Sequence, residues 1–241
     1  MAVYIIGDIH GAYKGLLQVI RLTPLKLGDT LIFLGDYVDG WSESPLVLDF
    51  LIDLKKYYNC IYIRGNHDEL LLDWLKNQNE NLLWYNSGGR STIEAYENIS
   101  IEIRNKHIHF LSSLKDYYLD NKNRLFVHAG FTNLKGVEYE YYPRLLYWDR
   151  TLWEMALCLD PDISSESAFF PKRLQVYKEI FIGHTPVTNL DITTPLKKAN
   201  VWNLDTGAAF KGCITILNLE KKEFWQSDPI YTLYPNEKGR N

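Results

Sequence analysis

Seven side chains able to ligate a metal ion fall directly after short apolar runs: Asp8 and His10, Asp36, Asn66 and His67, His128, and His184. They offer carboxylate, imidazole and carboxamide donors and no thiolate. Such a set suits divalent Mn, Fe or Zn better than Ca or copper. Asp8 and His10 stand two apart, so in a loop both can face one ion. In GNHD, residues 65–68, a glycine that lets backbones approach closely precedes three polar side chains. Singly, a DxH after a strand, an HAG or a GHTP is ordinary turn chemistry. Five such turns in one chain point to a shared site.

The elements that must position these residues follow from the hydrophobic pattern. VYII ends at GDIHG, TLIFL (residues 30–34) at GDYVD, and CIYIR (residues 60–64) at GNHD. Between them Leu16, Leu17 and Ile20, then Val47, Leu48, Leu51 and Ile52, recur with helical spacing. Alternating short strands and helices predict an α/β protein with parallel pairing and right-handed crossovers. In such sheets ligands gather at the carboxyl ends of the strands, where residues distant in sequence converge. Residues 70–119 read as mostly helical, with a break at NSGG, residues 86–89. RLFVHAG (124–130) and EIFIGHT (179–185) again end strands in polar turns. From 201 to 228 the pattern predicts antiparallel strands, VWNLDTG then GCITILNLE, with EKKE (220–223) as a hairpin turn. The last six residues, NEKGRN, are expected to fray. No repeat, low-complexity tract or linker divides the chain, so residues 1–241 are expected to form one domain.

Composition narrows the class. With 46% hydrophobic and 23% charged residues, the 241-residue chain can bury a sizeable core. The formal net charge is −4 and Lys/Arg never run beyond two in a row, which disfavours duplex nucleic acid as a partner. Cys60, Cys158 and Cys213 form no CxxC pair, so neither a disulfide framework nor a thiolate zinc site is expected. Cys60 and Cys213 lie in apolar runs and read as buried free thiols. No apolar run approaches the roughly 20 residues needed to cross a bilayer. The chain enters MAVYIIGDIHG without a signal-like segment, so a cytoplasmic location and no membrane partner are expected. His107 and His109 fall in a helical stretch, face different directions and read as structural.

GDIHG, GDYVDG, GNHD, HAG and GHTP, in this order, resemble the calcineurin-like metallophosphoesterases, closest to the compact bacterial and phage form of the phosphoprotein-phosphatase branch. LLWYNSGGRSTIEAY (residues 82–96) and LDTGA (204–208) are similar to further pieces of that branch. The resemblance implies a two-sheet α/β sandwich with a dinuclear metal site at the strand ends. Asp8 and His10 would hold one ion, Asp36 would bridge, and Asn66, His128 and His184 would complete the second, with Mn²⁺ the expected metal and Fe or Zn possible. A metal pair clamps attacking and leaving oxygens and makes a bridging hydroxide available near neutral pH. The resemblance further implies His67 as general acid, oriented by Asp39, and Arg64 and Arg150 as phosphate-holding residues.

One departure bears on the substrate. The branch usually carries an arginine where this chain has Gly40. Losing one bidentate contact of that kind would weaken phosphomonoester binding by about 1.5–3 kcal/mol. Trp41 follows, able either to stack on a base or tyrosine ring or simply to pack. The Tyr- and Glu-rich residues 136–144 are expected to wall the cleft, and residues 160–171 to form another rim or lid. Two enzyme readings follow: a serine/threonine-type phosphatase acting on phosphoproteins or small phosphomonoesters, or a hydrolase of phosphodiesters or dinucleoside polyphosphates. A third, a binding module without catalysis, conflicts with a complete ligand set.

Overall fold

The computed structural model describes residues 1–79 and 81–240. Its strands, in chain order, are β1 (Val3–Ile6), β2 (Thr30–Phe33), β3 (Asn59–Tyr62), β4 (Tyr117–Leu119), β5 (Arg124–Val127), β6 (Glu179–Ile182), β7 (Leu196–Lys198), β8 (Val201–Asn203), β9 (Thr215–Asn218) and β10 (Phe224–Gln226). They form two five-stranded sheets, ordered β10-β9-β1-β2-β3 and β4-β5-β6-β8-β7. β1, β2 and β3 run parallel, linked by α1 (Tyr13–Leu22) and α2 (Ser44–Leu54). β5, β6 and β8 run parallel in the second sheet.

Alternation along each strand serves two cores at once, which is why the runs read as continuously apolar. Ile5, Ile32, Ile63, Phe126, Phe181, Leu204 and Leu217 fill the space between the sheets. The Phe126 and Phe181 rings stack there with centroids 5.0 Å apart. Tyr4, Ile6, Leu31 and Phe33 point the other way, onto α1, α2 and α3 (Asn66–Asn77). Leu125, Val127, Ile180 and Ile182 pack against Leu152 and Trp153 of the helix Thr151–Cys158. The layers are therefore helix, sheet, sheet, helix, as the resemblance implied.

Three expectations need correction, and the alternative left open at Trp41 is resolved. VWNLDTG and GCITILNLE are not paired strands: β8 lies between β6 and β7, whereas β9 lies between β1 and β10. Alternation fixes which face of a strand is buried but says nothing about which sheet receives it, and the chain crosses between sheets after Leu204. The EKKE hairpin itself is present, joining antiparallel β9 and β10. Residues 236–240 do not fray. Ser42 donates from its N–H and Oγ to Glu237, at 3.0 and 2.8 Å, and the Arg240 N–H donates to the Ala209 carbonyl at 2.9 Å. Trp41 is fully buried, stacks on Tyr234 at 5.2 Å, and gives its Nε1–H to the Ala208 carbonyl at 2.7 Å. It packs, and offers no face to a ligand. Finally, Cys60 and Cys213 are only half-buried, and Cys158 is exposed; all three are free thiols.

The middle is helical as expected, although its last residues form β4. At the predicted break Gly88 takes φ 108°. His107 is buried and bonded to the Tyr96 hydroxyl at 2.6 Å, a structural role. Among the described residues, no helix is long and apolar enough to cross a membrane. Phe126→Ala should cost about 3–5 kcal/mol in urea unfolding, because the two sheets close on that ring. Leu27→Ala, at a side chain 78% exposed, should change stability by no more than about 0.5 kcal/mol.

Candidate metal centre

Each candidate donor sits on a turn that ends a parallel strand. Asp8 and His10 follow β1, Asp36 follows β2, Asn66 and His67 open α3 after β3, His128 follows β5 and His184 follows β6. All seven are buried. The turns are tight: His10, Asp36, Asp39 and His184 have φ of 54°, 52°, 73° and 69°. Such left-handed backbone costs non-glycine residues on the order of 1–3 kcal/mol each, and persists where surrounding contacts enforce it. Glycines let the turns interlock. A Cβ at Gly65 would lie 2.1 Å from Asp36 Oδ1, and one at Gly183 would lie 2.0 Å from Asp8 Oδ1.

Asp36 occupies the centre. Its Oδ2 lies 3.5 Å from His10 Nε2 and 3.4 Å from His128 Nε2. Donor atoms of His10, Asp36 and His67 fall within 4.8 Å of one another, as do those of Asp36, His128 and His184. Asp36 is thus common to two clusters, one on each sheet's side. Asp8 Oδ2 is 3.8 Å from His10 Nε2. Asn66 Oδ1 is 3.2 Å from His128 Nε2 and 2.9 Å from His184 Nδ1. His10 Nδ1 faces the Val38 carbonyl at 3.2 Å, and His128 Nδ1 the Leu34 carbonyl at 2.9 Å. A carbonyl only accepts, so both rings carry hydrogen on Nδ1 and turn Nε2 toward Asp36.

His67 Nδ1 lies 2.6 Å from Asp39 Oδ2. Trp84 Nε1 donates to the same oxygen at 2.5 Å. The Asp39 N–H is shared by Ser44 Oγ and Thr92 Oγ1, each at 3.1 Å. The segment containing Trp84 and Thr92 therefore holds Asp39, which holds His67.

Two functional residues escaped the sequence reading. Asp68 accepts hydrogen bonds from the N–H groups of Gly65, Asp36 and Tyr37, at 2.8, 2.9 and 2.9 Å. It ties the β2 and β3 turns together. Its place in GNHD was the available signal, but its partners lie across a crossover. Asp205, in the LDTGA segment, is 2% exposed and close enough to Asp8 and His10 to interact with their charges.

Burial and charge set the electrostatics of this centre. Burial, with Asp36 adding to it and His128 opposing, pushes the Asp8 carboxyl up to about 7. Burial and then the Asp8 charge push Asp205 up to about 7. Burial also raises Asp68 well above the carboxylate range. Burial acts on Asp36 too, but the charges of His128 and His67 outweigh it and hold that carboxyl well below its ordinary value. His184 is lowered well below the imidazole range by burial, then by His128 and Arg150, and its Nε2 has no hydrogen-bond partner among the described residues. The centre holds more buried carboxyl groups than nearby cations can satisfy. A neutral imidazole and carboxylates pulled up toward neutrality are a fitting environment for divalent cations.

The arginines divide. Arg150 and Arg144 line a cleft of about 460 Å³ together with Asp36, Asn66, His67 and His184. Arg150 Nη1 lies 3.2 Å from Thr185 Oγ1. Arg64 is not brought to this cleft. It lines a separate cavity, with Nε 3.1 Å from Asp116 Oδ1 and Nη2 donating to the Leu114 carbonyl at 3.2 Å. Of residues 136–144, only Arg144 lines the cleft, because Glu140 folds back onto the N–H groups of Thr132 and Asn133. Asp160, Pro161, Ile163 and Phe170 line a different cavity of about 810 Å³, so residues 160–171 are no rim of the centre.

Known proteins resemble this chain in sequence and in fold. A family model described as calcineurin-like phosphoesterase matches residues 1–207. Bis(5′-nucleosyl)-tetraphosphatase PrpE [asymmetrical] of Anoxybacillus flavithermus is 27% identical, covering 98% of this chain and 97% of its own. Serine/threonine-protein phosphatase 1 of Salmonella typhimurium is 24% identical over 90% of this chain and 92% of its own. A serine/threonine phosphatase structure from Saccharomyces cerevisiae superposes with a TM-score of 0.59, at 16% identity over 95% of this chain and 83% of that one.

Because Asp8 must lose a proton held up to about 7, Mn²⁺ affinity should rise as pH increases through that value. Calorimetry in buffers of different ionisation enthalpy should detect more proton release on Mn²⁺ binding at pH 6.5 than at pH 8.5. What remains at pH 8.5 comes from His128, whose imidazole, in spite of burial, is held up to about 9 by the Asp36 charge. Equal release at both would contradict the charge balance.

Proposed function

We propose that this chain, which belongs to the calcineurin-like phosphoesterase family, is a metal-dependent hydrolase of dinucleoside polyphosphates. The observation that carries the substrate class is the cleft lining: Arg144, Arg150 and Arg240 converge there with Trp148 around Asp36, Asn66, His67 and His184. A phosphomonoester is a compact charge, whereas a polyphosphate chain extends it across a cleft and rewards separated guanidinium groups. Trp148 is 37% exposed, with its ring 6.5 Å from that of His184, and presents a surface on which a base can stack. Two of the similar proteins named above point to different substrates, and the one of highest identity is named as a bis(5′-nucleosyl)-tetraphosphatase.

Asp8, His10, Asp36, Asn66, His128 and His184 are the residues that would hold two divalent cations, with Mn²⁺ the metal to try first. When bound, such cations neutralise phosphoryl charge and activate water. The chain's own part is positional. Arg150 orients the phosphoryl group from the His184 side. His67, fixed through Nδ1 by Asp39, has Nε2 free to give a proton to the leaving oxygen. Burial in this cleft restricts competing water and strengthens each charge interaction.

The His67–Asp39 pair favours a second reading. A protein alkoxide is a poor leaving group that needs a proton, whereas a nucleotide phosphate leaves readily. A phosphoserine or phosphothreonine monoesterase would therefore depend on that pair more heavily.

The discriminating experiment compares a dinucleoside tetraphosphate, a phosphothreonine peptide and an aryl phosphate, each with Mn²⁺ and after metal stripping. The dinucleotide should be hydrolysed with the highest kcat/KM, and only with metal. A higher kcat/KM for the phosphopeptide would reverse the assignment. His67→Asn should slow hydrolysis of the alkyl monoester by about 10²–10⁴-fold and of the dinucleotide by less, giving a substrate-dependent loss.

A further inference from the structure

The GDYVDGW turn carries no cation, yet a guanidinium reaches the same place from the other end of the chain. The Gly40 N–H donates to the Gly88 carbonyl at 3.0 Å. These two glycines, at φ 98° and 108°, leave a slot beside the cleft. A Cβ at Gly40 would lie 3.3 Å from Arg240 Cγ, and one at Gly88 would lie 2.8 Å from it. The Arg240 stem therefore runs through space that side chains at 40 and 88 would otherwise claim.

The segment that delivers Arg240 is fastened at several points. Glu237 accepts two hydrogen bonds from Ser42, and the Arg240 N–H is held by the Ala209 carbonyl. Trp41, immediately after Gly40, supplies the apolar seat. It stacks on Tyr234, and a Cβ at Gly239 would come within 2.7 Å of its Cζ2. Gly40 thus clears the slot, and its neighbour anchors what fills it.

Arg240 lines the cleft with Asp36, Asn66, His67, Arg150 and His184. Its Nε is buried and has no hydrogen-bond partner among the described residues. The guanidinium sits 5.4 Å from the Phe210 ring, and no ion pair among the described residues engages it. An arginine cannot shed its charge to escape such a setting. Sharing the cleft with Asp36 yet paired with no carboxylate among the described residues, its planar fork is available for an anion with paired oxygens.

We propose that Arg240 is a substrate-binding residue whose guanidinium takes the non-bridging oxygens of the phosphoryl group, supplying from the carboxyl-terminal segment the cation that Gly40 omits. Arg150 would act from the His184 side and Arg240 from the side of the Gly40–Gly88 slot. The proposal rests on the phosphoesterase reading above.

The test uses Mn²⁺-loaded protein and inorganic phosphate as the probe, with Arg240→Gln and Arg240→Lys beside the unaltered chain. Arg240→Gln should weaken phosphate binding about 10–100-fold by calorimetry and raise KM, with Mn²⁺ affinity unchanged. Arg240→Lys should recover part of the loss, as a point charge without the fork would. Phosphate affinity in Arg240→Gln equal to that of the unaltered chain would overturn the proposal. So would a parallel loss of Mn²⁺ binding, which would mark Arg240 as packing alone. An unaltered chain that neither binds phosphate nor hydrolyses any ester would overturn the phosphoesterase reading itself, and is distinguished by that control.

Discussion

One buried carboxylate sets the terms for the rest of the molecule. The carbonyl of Asp36 accepts from the N–H groups of Ile9 and His10, its Oδ1 accepts from the His67 N–H, and its own N–H is given to Asp68. The turns after β1, β2 and β3 are therefore bonded through a single residue. Its remaining oxygen faces histidines from both sheets. A carboxylate 2% exposed is tolerable only with such a complement of donors and cations around it. The left-handed turns, the glycines beside them and the orienting carbonyls are all consequences of bringing that complement within reach.

Legibility in the sequence followed range. Local signals carried far: each apolar run ended in a polar turn, and those turns contain every donor that the fold gathers. The two-core sandwich explains why the strands looked uniformly apolar rather than half-polar. What failed to show was long-range. β8 and β9 have similar patterns, yet they join different sheets, because periodicity encodes a face and not a partner. Asp68 looked like one polar residue among three until its contact with the β2 turn was visible. Arg64 was adjacent to GNHD in sequence, but the side chain turns to Asp116 instead. Trp41 stayed open between stacking and packing, because a tryptophan beside a glycine-rich turn gives no hint of a Tyr234 nearly two hundred positions away.

The cleft also shows how charge is apportioned. Arg144 pairs at the surface with Glu69 at 3.0 Å, and Arg150 leans on Thr185. Arg240 alone of the three pairs with no side-chain oxygen among the described residues. Strongly acidic ground near a metal centre would repel a phosphate, and Glu140 avoids this by accepting from the N–H groups of Thr132 and Asn133. Selectivity here is a matter of where negative groups are kept as much as where positive ones are placed.

The order of the first sheet carries a consequence for synthesis. β1, made well before β9, lies between β2 and β9, so one of its edges is completed only by residues 215–218. At about 5–20 residues per second, that edge waits roughly 10–40 s on the ribosome. During this interval an apolar strand has unpaired N–H and C=O groups, the kind of template that recruits other chains. Asp8, at the end of the same strand, likewise waits for His184 to cover it. The nascent chain therefore carries its early turns without a finished centre, and the sheet closes only when the tail arrives to seal it.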